Sequence, residues 1–197
     1  MLKSINYALE RIQANVVQGG EVVRGILKYS RKGSTTDFEA IDLNKLLDST
    51  LDMLRFKVKL TEIELVRNFS ADIPKIKGNF IQLQEAFFNL IDNAYDAAVE
   101  RRDLKKEEGF KGRITISAAG KDANLEIVIE DNGIGVKDED RKKLFTPFFT
   151  TKISARKGTG LGLYVIRRII SDAHKGKISF DSAYMQGSRF TIELPAA

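Results

Sequence analysis

The sequence contains no cysteine and no tryptophan, and it has three prolines and one histidine among 197 residues. Without cysteine the chain forms no disulfide and no thiolate metal site, which fits a reducing compartment. Its apolar runs are far shorter than the roughly 18 residues that a membrane helix needs, and residues 1–11 lack the apolar core of a signal peptide. The sequence therefore predicts a soluble, cytoplasmic protein with no membrane segment in this chain.

Charge of one sign is not concentrated in any part of the sequence. The net charge is +5, but 32 basic residues are interspersed with 27 acidic ones, and basic clusters such as residues 141–143 lie beside Asp or Glu. No helix-turn-helix, zinc-binding or RNA-binding pattern accompanies them. We therefore expect a solvated charged surface and no direct binding of nucleic acid. The 43% of hydrophobic residues suffices for one core and a smaller appendage.

Two glycine-rich turns and one carboxylate stand out in the second half of the chain. An apolar strand ends at Asp131 and is followed by Gly133 and Gly135, while residues 158–163 (GTGLGL) run into an apolar-periodic helix. Glycines let backbone N–H groups approach a polyanion, and a helix N-terminus adds unpaired donors. Asp131, at the exit of a buried strand, is a fixed acceptor for an exocyclic amine such as that of adenine. The pattern indicates a nucleotide pocket, although either glycine cluster alone is most often an ordinary turn.

A third element carries carboxamides on a helix. Over residues 79–100 the apolar side chains follow the helical period, and Glu85, Asn89 and Asn93 lie four apart on a different stripe. A carboxamide oxygen is a hard, neutral ligand for Mg²⁺, which takes the rest of its shell from waters and phosphates. Asn on a helix usually marks an exposed face, but the large apolar neighbours of these two residues favour a site.

The order of these elements resembles that of the sensor histidine kinases. Their N, first-glycine, F and second-glycine boxes are matched in turn by residues 89–94 (NLIDNA), 131–135 (DNGIG), 144–152 (LFTPFFTTK) and 158–163 (GTGLGL). These kinases belong to the ATPase superfamily that also contains gyrase B, the Hsp90 chaperones and MutL. The similarity covers roughly residues 40–195, and four ordered motifs are far more specific than one glycine pattern.

The resemblance implies a site for ATP and Mg²⁺. Asp131 would bond the adenine amine, and Asn93 would coordinate Mg²⁺ with Asn89 close by. Lys152 and Arg156 would reach the β and γ phosphates from a mobile lid, unless they belong to a solvated basic loop. Phe145 and Phe148 would anchor the lid, unless they are core residues. The other implied contacts are Gly133, Gly135, Gly158, Thr159, Gly160, Leu161, Gly162 and Leu163.

The N-terminal segment is organised differently from the remainder. Its apolar residues keep a heptad-like spacing over residues 1–33, and residues 34–41 read as a linker to an ATP-binding domain at 42–197. The segment resembles the trailing helix of the dimerisation and phosphotransfer hairpin of these kinases. The family's phosphoacceptor is a histidine on the first helix of that hairpin, whereas this sequence has no histidine before residue 40. We interpret His174 as a structural residue at a helix C-terminus.

The predicted fold is α/β, a two-layer sandwich of a mixed β-sheet covered by about three helices and preceded by an N-terminal helix. Asp42 is expected to cap a helix with an apolar stripe between residues 43 and 54. Strands are expected to begin near residue 63 and to cover 113–117, 125–130, 177–181 and 189–194. The resemblance implies that this is the Bergerat-type ATP-binding fold.

These features predict the Mg·ATP-binding catalytic domain of a two-component sensor histidine kinase, whose phosphoacceptor histidine is not on the N-terminal helix. The implied partners are a histidine-containing hairpin, a response regulator and a second copy in a homodimer. One alternative is a protein serine kinase that resembles anti-sigma-factor kinases, and another is a non-catalytic ATP-sensing interaction module. An ATP-driven clamp fits less well, because the superfamily's clamps have Glu where this chain has Asn89.

Overall fold

The computed structural model describes residues 38–56, 62–105, 109–151 and 160–197. The predicted N-terminal helix and the first half of the predicted linker lie outside these residues. So do four of the predicted site residues, namely Lys152, Arg156, Gly158 and Thr159.

One layer of the fold is helical. The first helix begins at Asp42, whose carboxylate accepts hydrogen bonds from the N–H groups of Asn44 and Lys45, so the predicted cap is confirmed. The second helix is 26 residues long, and none of the described helices is both long and apolar enough to cross a membrane. The helices are α1 (Leu43–Arg55), α2 (Phe80–Lys105), the short α3 (Asp138–Arg141) and α4 (Gly162–Arg167), which continues into a π-helical segment (Arg168–Ala173).

The other layer is a five-stranded sheet. Its strands are β2 (Ile63–Phe69), β4 (Gly112–Lys121), β5 (Asn124–Asp131), β6 (Lys177–Ala183) and β7 (Gly187–Pro195). The strands β1 (Glu39–Ile41) and β3 (Ile76–Gly78) belong to a separate small sheet. The order of strands across the large sheet is β2-β4-β5-β7-β6. Strand β2 runs parallel to β4, and the remaining neighbours are antiparallel. The sheet is therefore mixed, as predicted, and most strands are longer than expected.

A second, two-stranded sheet was not expected from the sequence. Strand β1 (Glu39–Ile41) pairs antiparallel with β3 (Ile76–Gly78), and β1 occupies the last residues of the segment predicted as a linker. Three residues are too few to show a period of two, so neither strand has a recognisable pattern. Because the two strands are antiparallel, α1 and α2 begin at opposite ends of this short sheet.

The core lies between the helices and one face of the sheet. Along β5, Leu125, Ile127 and Ile129 are buried and the residues between them are partly exposed, as expected for a half-buried strand. The fully buried side chains of α2 include Leu83 and Phe87 on the same core. This alternation gives the predicted two-layer sandwich, and it points Asp131, at the end of β5, toward the helices.

Candidate nucleotide-binding site

The Asp131 carboxylate lies at the inner end of β5 and is only 7% exposed. One of its oxygens accepts a hydrogen bond from the Gly133 N–H at 2.8 Å, and the backbone N–H of Ser188 on β7 donates to the same carboxylate. Residues 131 and 188 are paired across the two strands. Two backbone donors therefore hold this acceptor in a fixed orientation.

Burial raises the pKa of Asp131 to about 7, because the charged form loses its hydration. The hydrogen bonds from Gly133 and Ser188 act in the opposite direction, and the nearby Glu130 carboxylate raises the pKa further. A carboxylate with such a perturbed pKa is typical of functional sites, because stability alone does not favour it.

The glycines after Asp131 are required by close packing. A Cβ at Gly133 would lie 2.5 Å from the carbonyl carbon of Ala97 on α2. Gly135 has φ +68°, a conformation that favours glycine, and a Cβ there would overlap the carbonyl oxygen of Ala183. The loop after β5 is thereby pressed between α2 and the β6–β7 turn, and this contact keeps Asp131 next to the carboxamide helix.

The second glycine cluster faces the carboxamides of α2. Gly162 is the first residue of α4, and a Cβ on it would lie 3.8 Å from Asn89 Oδ1 and 3.9 Å from Asn93 Nδ2. Asn89 Nδ2 donates to the Glu85 carbonyl at 2.9 Å, so the Asn89 oxygen is the atom turned toward Gly162. Two sequence motifs, which are far apart in the chain, thus meet here.

The two phenylalanines of the F box have different environments. Phe145 packs on the core and lies edge-to-face with Phe180, with the ring centroids 5.9 Å apart. Phe148 is 58% exposed and has φ +66°, which is unusual for a bulky residue. The backbone of Gly160 contacts the backbone of Phe148 so closely that a Cβ on Gly160 would overlap it. The F box and the second glycine cluster are therefore in direct contact.

Of the remaining predicted site residues, two are described by the structure and four are not. Leu161 and Leu163 flank the start of α4, both are half-buried, and Leu163 packs against the core. The predicted phosphate contacts from Lys152, Arg156, Gly158 and Thr159 lie outside the described residues and stay predictions.

The ring of His174 is buried below the start of α2. Its Nε2 accepts from the Asn79 N–H at 3.0 Å, and the proton must then be on Nδ1, which donates to the Ile169 carbonyl at 2.8 Å. The ring also contacts Phe38, with the centroids 5.0 Å apart. Burial lowers the pKa of this histidine. Its bonding is that of a structural residue, as we interpreted it from the sequence.

Two hydroxyl groups beside Asp131 were not predicted from the sequence. Ser182 on β6 and Ser188 on β7 are cross-strand neighbours, and their oxygens lie 3.1 Å apart. Their position depends on which strand lies beside β5, and no spacing in the sequence reveals that.

A model of a known protein family matches the part of the chain that contains this site. The model of the histidine kinase-, DNA gyrase B-, and HSP90-like ATPases matches residues 78–197. The chain belongs to this ATPase family. The resemblance inferred from the four motifs is thereby confirmed.

The relatives and solved structures are sensor kinases. The chain is 30% identical to sensor protein RprX of Bacteroides fragilis over 194 residues, 97% of this chain and 35% of RprX. It is 32% identical to the histidine-protein kinase AtoS of Escherichia coli over 176 residues, 89% of this chain and 26% of AtoS. The chain thus spans about a third or less of these relatives. The catalytic domain of histidine kinase ThkA aligns with a TM-score of 0.66 and 27% identity, covering 81% of this chain and 96% of that domain.

Proposed function

We propose that this chain is the Mg·ATP-binding catalytic part of a two-component sensor histidine kinase, and that it phosphorylates a histidine on another segment or subunit. The observation that carries the proposal is the meeting of Gly162 with the Asn89 and Asn93 carboxamides. In a chain of this ATPase family, that meeting brings phosphate-binding backbone and metal-binding side chains to one place. The relationship to sensor kinases such as AtoS supports the same function.

The adenine end of the site is formed by Asp131. Its carboxylate, which is held by the backbone N–H groups of Gly133 and Ser188, accepts a hydrogen bond from the exocyclic amine of adenine. Recognition by a buried acceptor discriminates strongly, because a base that lacks the amine leaves the carboxylate unpaired. This preference favours ATP over nucleotides with a carbonyl group at that position.

The donor set fits Mg²⁺. Asn89 and Asn93 carry hard, neutral oxygens on adjacent turns of α2. The Asn89 oxygen is turned toward Gly162, whereas the Asn93 atom nearest to Gly162 is the amide nitrogen. Asn89 and Asn93 would hold Mg²⁺ here, and the ion would supply positive charge that offsets the negative charge of the transferred phosphoryl group. Because the two side chains carry no charge, they hold a cation here without repelling the phosphates. The backbone at Gly162 accepts the close approach of the phosphate chain, since glycine has no Cβ.

The phosphoacceptor must come from elsewhere. His174 is the only histidine in the sequence, and both of its ring nitrogens are engaged in hydrogen bonds inside the fold. We therefore propose a histidine-containing hairpin as the immediate partner and a response regulator as the final acceptor. In this arrangement residues 1–33 belong to the hairpin and support a homodimer. The catalytic domain begins with β1, whose Ile41 is in the core, so the proposed linker is the part of residues 34–41 that precedes this strand. The domain works in the cytoplasm, where ATP is supplied.

A phosphotransfer assay tests the proposal. The purified chain is incubated with γ-labelled Mg·ATP, alone and with an added histidine-containing hairpin domain, and the acid stability of any protein-bound label is measured. We expect no label on the chain alone and acid-labile label on the added hairpin. Gly162→Ala should abolish the transfer, whereas Ser179→Ala should not change it, because Ser179 is exposed on β6. Acid-stable label on serine or threonine would contradict histidine kinase activity and favour a serine kinase.

A non-catalytic ATP-sensing module is the second candidate. It is favoured by one observation, which is that the chain's single histidine is built into the fold. This alternative predicts that ATP binds with an affinity measurable by calorimetry and that no hairpin domain receives label under any condition. The same assay therefore separates the two functions.

A further inference from the structure

A buried serine on β6 is at the centre of a hydrogen-bond network beside Asp131. The Ser182 hydroxyl is 2.8 Å from the Gly187 carbonyl oxygen, 2.9 Å from the Val136 N–H nitrogen and 3.1 Å from the Ser188 hydroxyl. Ser182 is 5% exposed and Ser188 is 9% exposed. The network links the loop after β5 to the β6–β7 hairpin.

The direction of each hydrogen bond in this network is fixed by chemistry. A carbonyl oxygen only accepts, so the single proton of Ser182 goes to Gly187. The two lone pairs of Ser182 then accept from the Val136 N–H and from the Ser188 hydroxyl. Ser188 has therefore used its only proton, and toward any other group its oxygen is an acceptor.

Ser188 lies directly beside the residue that recognises the base. It is paired with Asp131 across β5 and β7, and its backbone N–H donates to the Asp131 carboxylate. The Asp131 carboxylate only accepts hydrogen bonds. The Ser188 hydroxyl already donates its proton to Ser182, so toward other groups it also only accepts. An amine next to them finds complementary partners, whereas a carbonyl oxygen in the same place meets only lone pairs.

We infer that Ser182 is a specificity-determining positioning residue, which selects 6-aminopurine over 6-oxopurine nucleotides by committing the proton of the Ser188 hydroxyl. Ser182 acts through Ser188 and does not touch the base itself. Through the Val136 N–H it also holds the loop that contains Gly135 against the β6–β7 turn. The inference rests on the proposed ATP site.

Removing the Ser182 hydroxyl should release the Ser188 proton. In Ser182→Ala the Ser188 hydroxyl has lost its acceptor and is able to rotate and donate to a carbonyl oxygen. The penalty against a 6-oxopurine then decreases, while an amine still has the Asp131 carboxylate as its partner. We expect the preference for ATP over inosine triphosphate to fall by roughly 3- to 10-fold, which corresponds to one neutral hydrogen bond.

The experiment measures the dissociation constants of Mg·ATP and Mg·inosine triphosphate by calorimetry at pH 8 for the full chain and its variants. Inosine triphosphate carries a carbonyl group in place of the amine and has the same sugar and phosphates. Ser182→Thr keeps a hydroxyl and should retain the parent's preference. Ser179→Ala, an exposed serine on the same strand, is the matched control and should also retain it.

Each result decides the matter. A reduced preference in Ser182→Ala with rescue by threonine supports the inference. An equal loss of affinity for both nucleotides would show that Ser182 has only a structural role. Unchanged affinities for both would show that Ser182 has no role in binding. Either result overturns the inference. If Ser182→Ala does not fold, Ser188→Ala replaces it, since deletion of the committed hydroxyl should lower the same ratio, and a retained ratio would refute the inference. A parent chain that binds no ATP would overturn the proposed function as well, which separates the two failures.

Discussion

The Asp131 carboxylate should lower the stability of the nucleotide-free domain at neutral pH. Burial raises its pKa from 3.8 to about 7, so the folded chain binds this proton more tightly than the unfolded chain. The contribution of the group to stability is therefore fully present below pH 4 and is lost as the pH rises to 7. The pKa difference corresponds to about 4 kcal/mol between these limits.

Asp131→Asn should remove most of this pH dependence. The amide stays neutral, but it keeps one acceptor where the carboxylate had two, so one of the N–H groups of Gly133 and Ser188 loses its partner. That loss costs about 1–3 kcal/mol. We expect the variant to be about 1–3 kcal/mol more stable than the parent at pH 8, and equally or less stable at pH 5. ATP binding should be severely weakened, because an amide nitrogen then faces the adenine amine.

Urea unfolding of both proteins without nucleotide, at intervals from pH 5 to pH 8, measures the difference in unfolding free energy. Other titrating groups, including His174, are shared and cancel from this difference. A difference that does not grow in favour of Asp131→Asn with rising pH would refute the assignment of a buried, proton-binding carboxylate. A variant that is stabilised and still binds ATP would refute the recognition role of Asp131 alone.

Four further predictions concern the site and the buried histidine. Asn93→Asp should change the Mg²⁺ dependence of ATP binding, and unchanged calorimetric affinity and metal dependence would remove Asn93 from the site. Gly133→Ala should destabilise the domain by about 1–3 kcal/mol in urea unfolding, because its Cβ meets the backbone of Ala97. Gly162→Ala has only ordinary contacts and should fold normally but bind ATP poorly; equal stability losses would contradict this contrast. The ring of His174 should titrate below pH 6.5 by NMR, with stability lost as the pH falls through that value; titration at or above 6.5 would contradict its burial.

Local patterns in the sequence were sufficient for most of the fold. The cap at Asp42 and the apolar stripe of α1 are local features of a 13-residue helix and its cap. Along β5, buried and partly exposed residues alternate strictly. The pairing of β1 with β3 was missed because three-residue strands carry no periodicity. The π-helical segment after α4 was also missed, because it has the same apolar spacing as an α-helix.

The candidate site was predictable where a motif has its own chemistry. Asp131, Asn89 and Asn93 could be singled out as an acceptor and two neutral ligands, and all three lie within the residues that the family model matches. The structure gives Gly133 and Gly135 a further role that the sequence did not indicate, which is to let the loop pack against backbone. Ser182 could not be found from the sequence, because its partners are set by the order of the strands.

The position of β7 has a consequence for how the protein acquires its function. This strand comes last along the chain, yet it lies inside the sheet, between β5 and β6. Until residues 187–195 have been synthesised, β5 has an open edge and Asp131 lacks Ser188. Non-local pairing of this kind is slow to form, and the nucleotide site should therefore mature in the final step of folding. A nascent or truncated chain without β7 would contain all four sequence motifs but would lack the Ser188 partner of Asp131, and we expect it not to bind ATP.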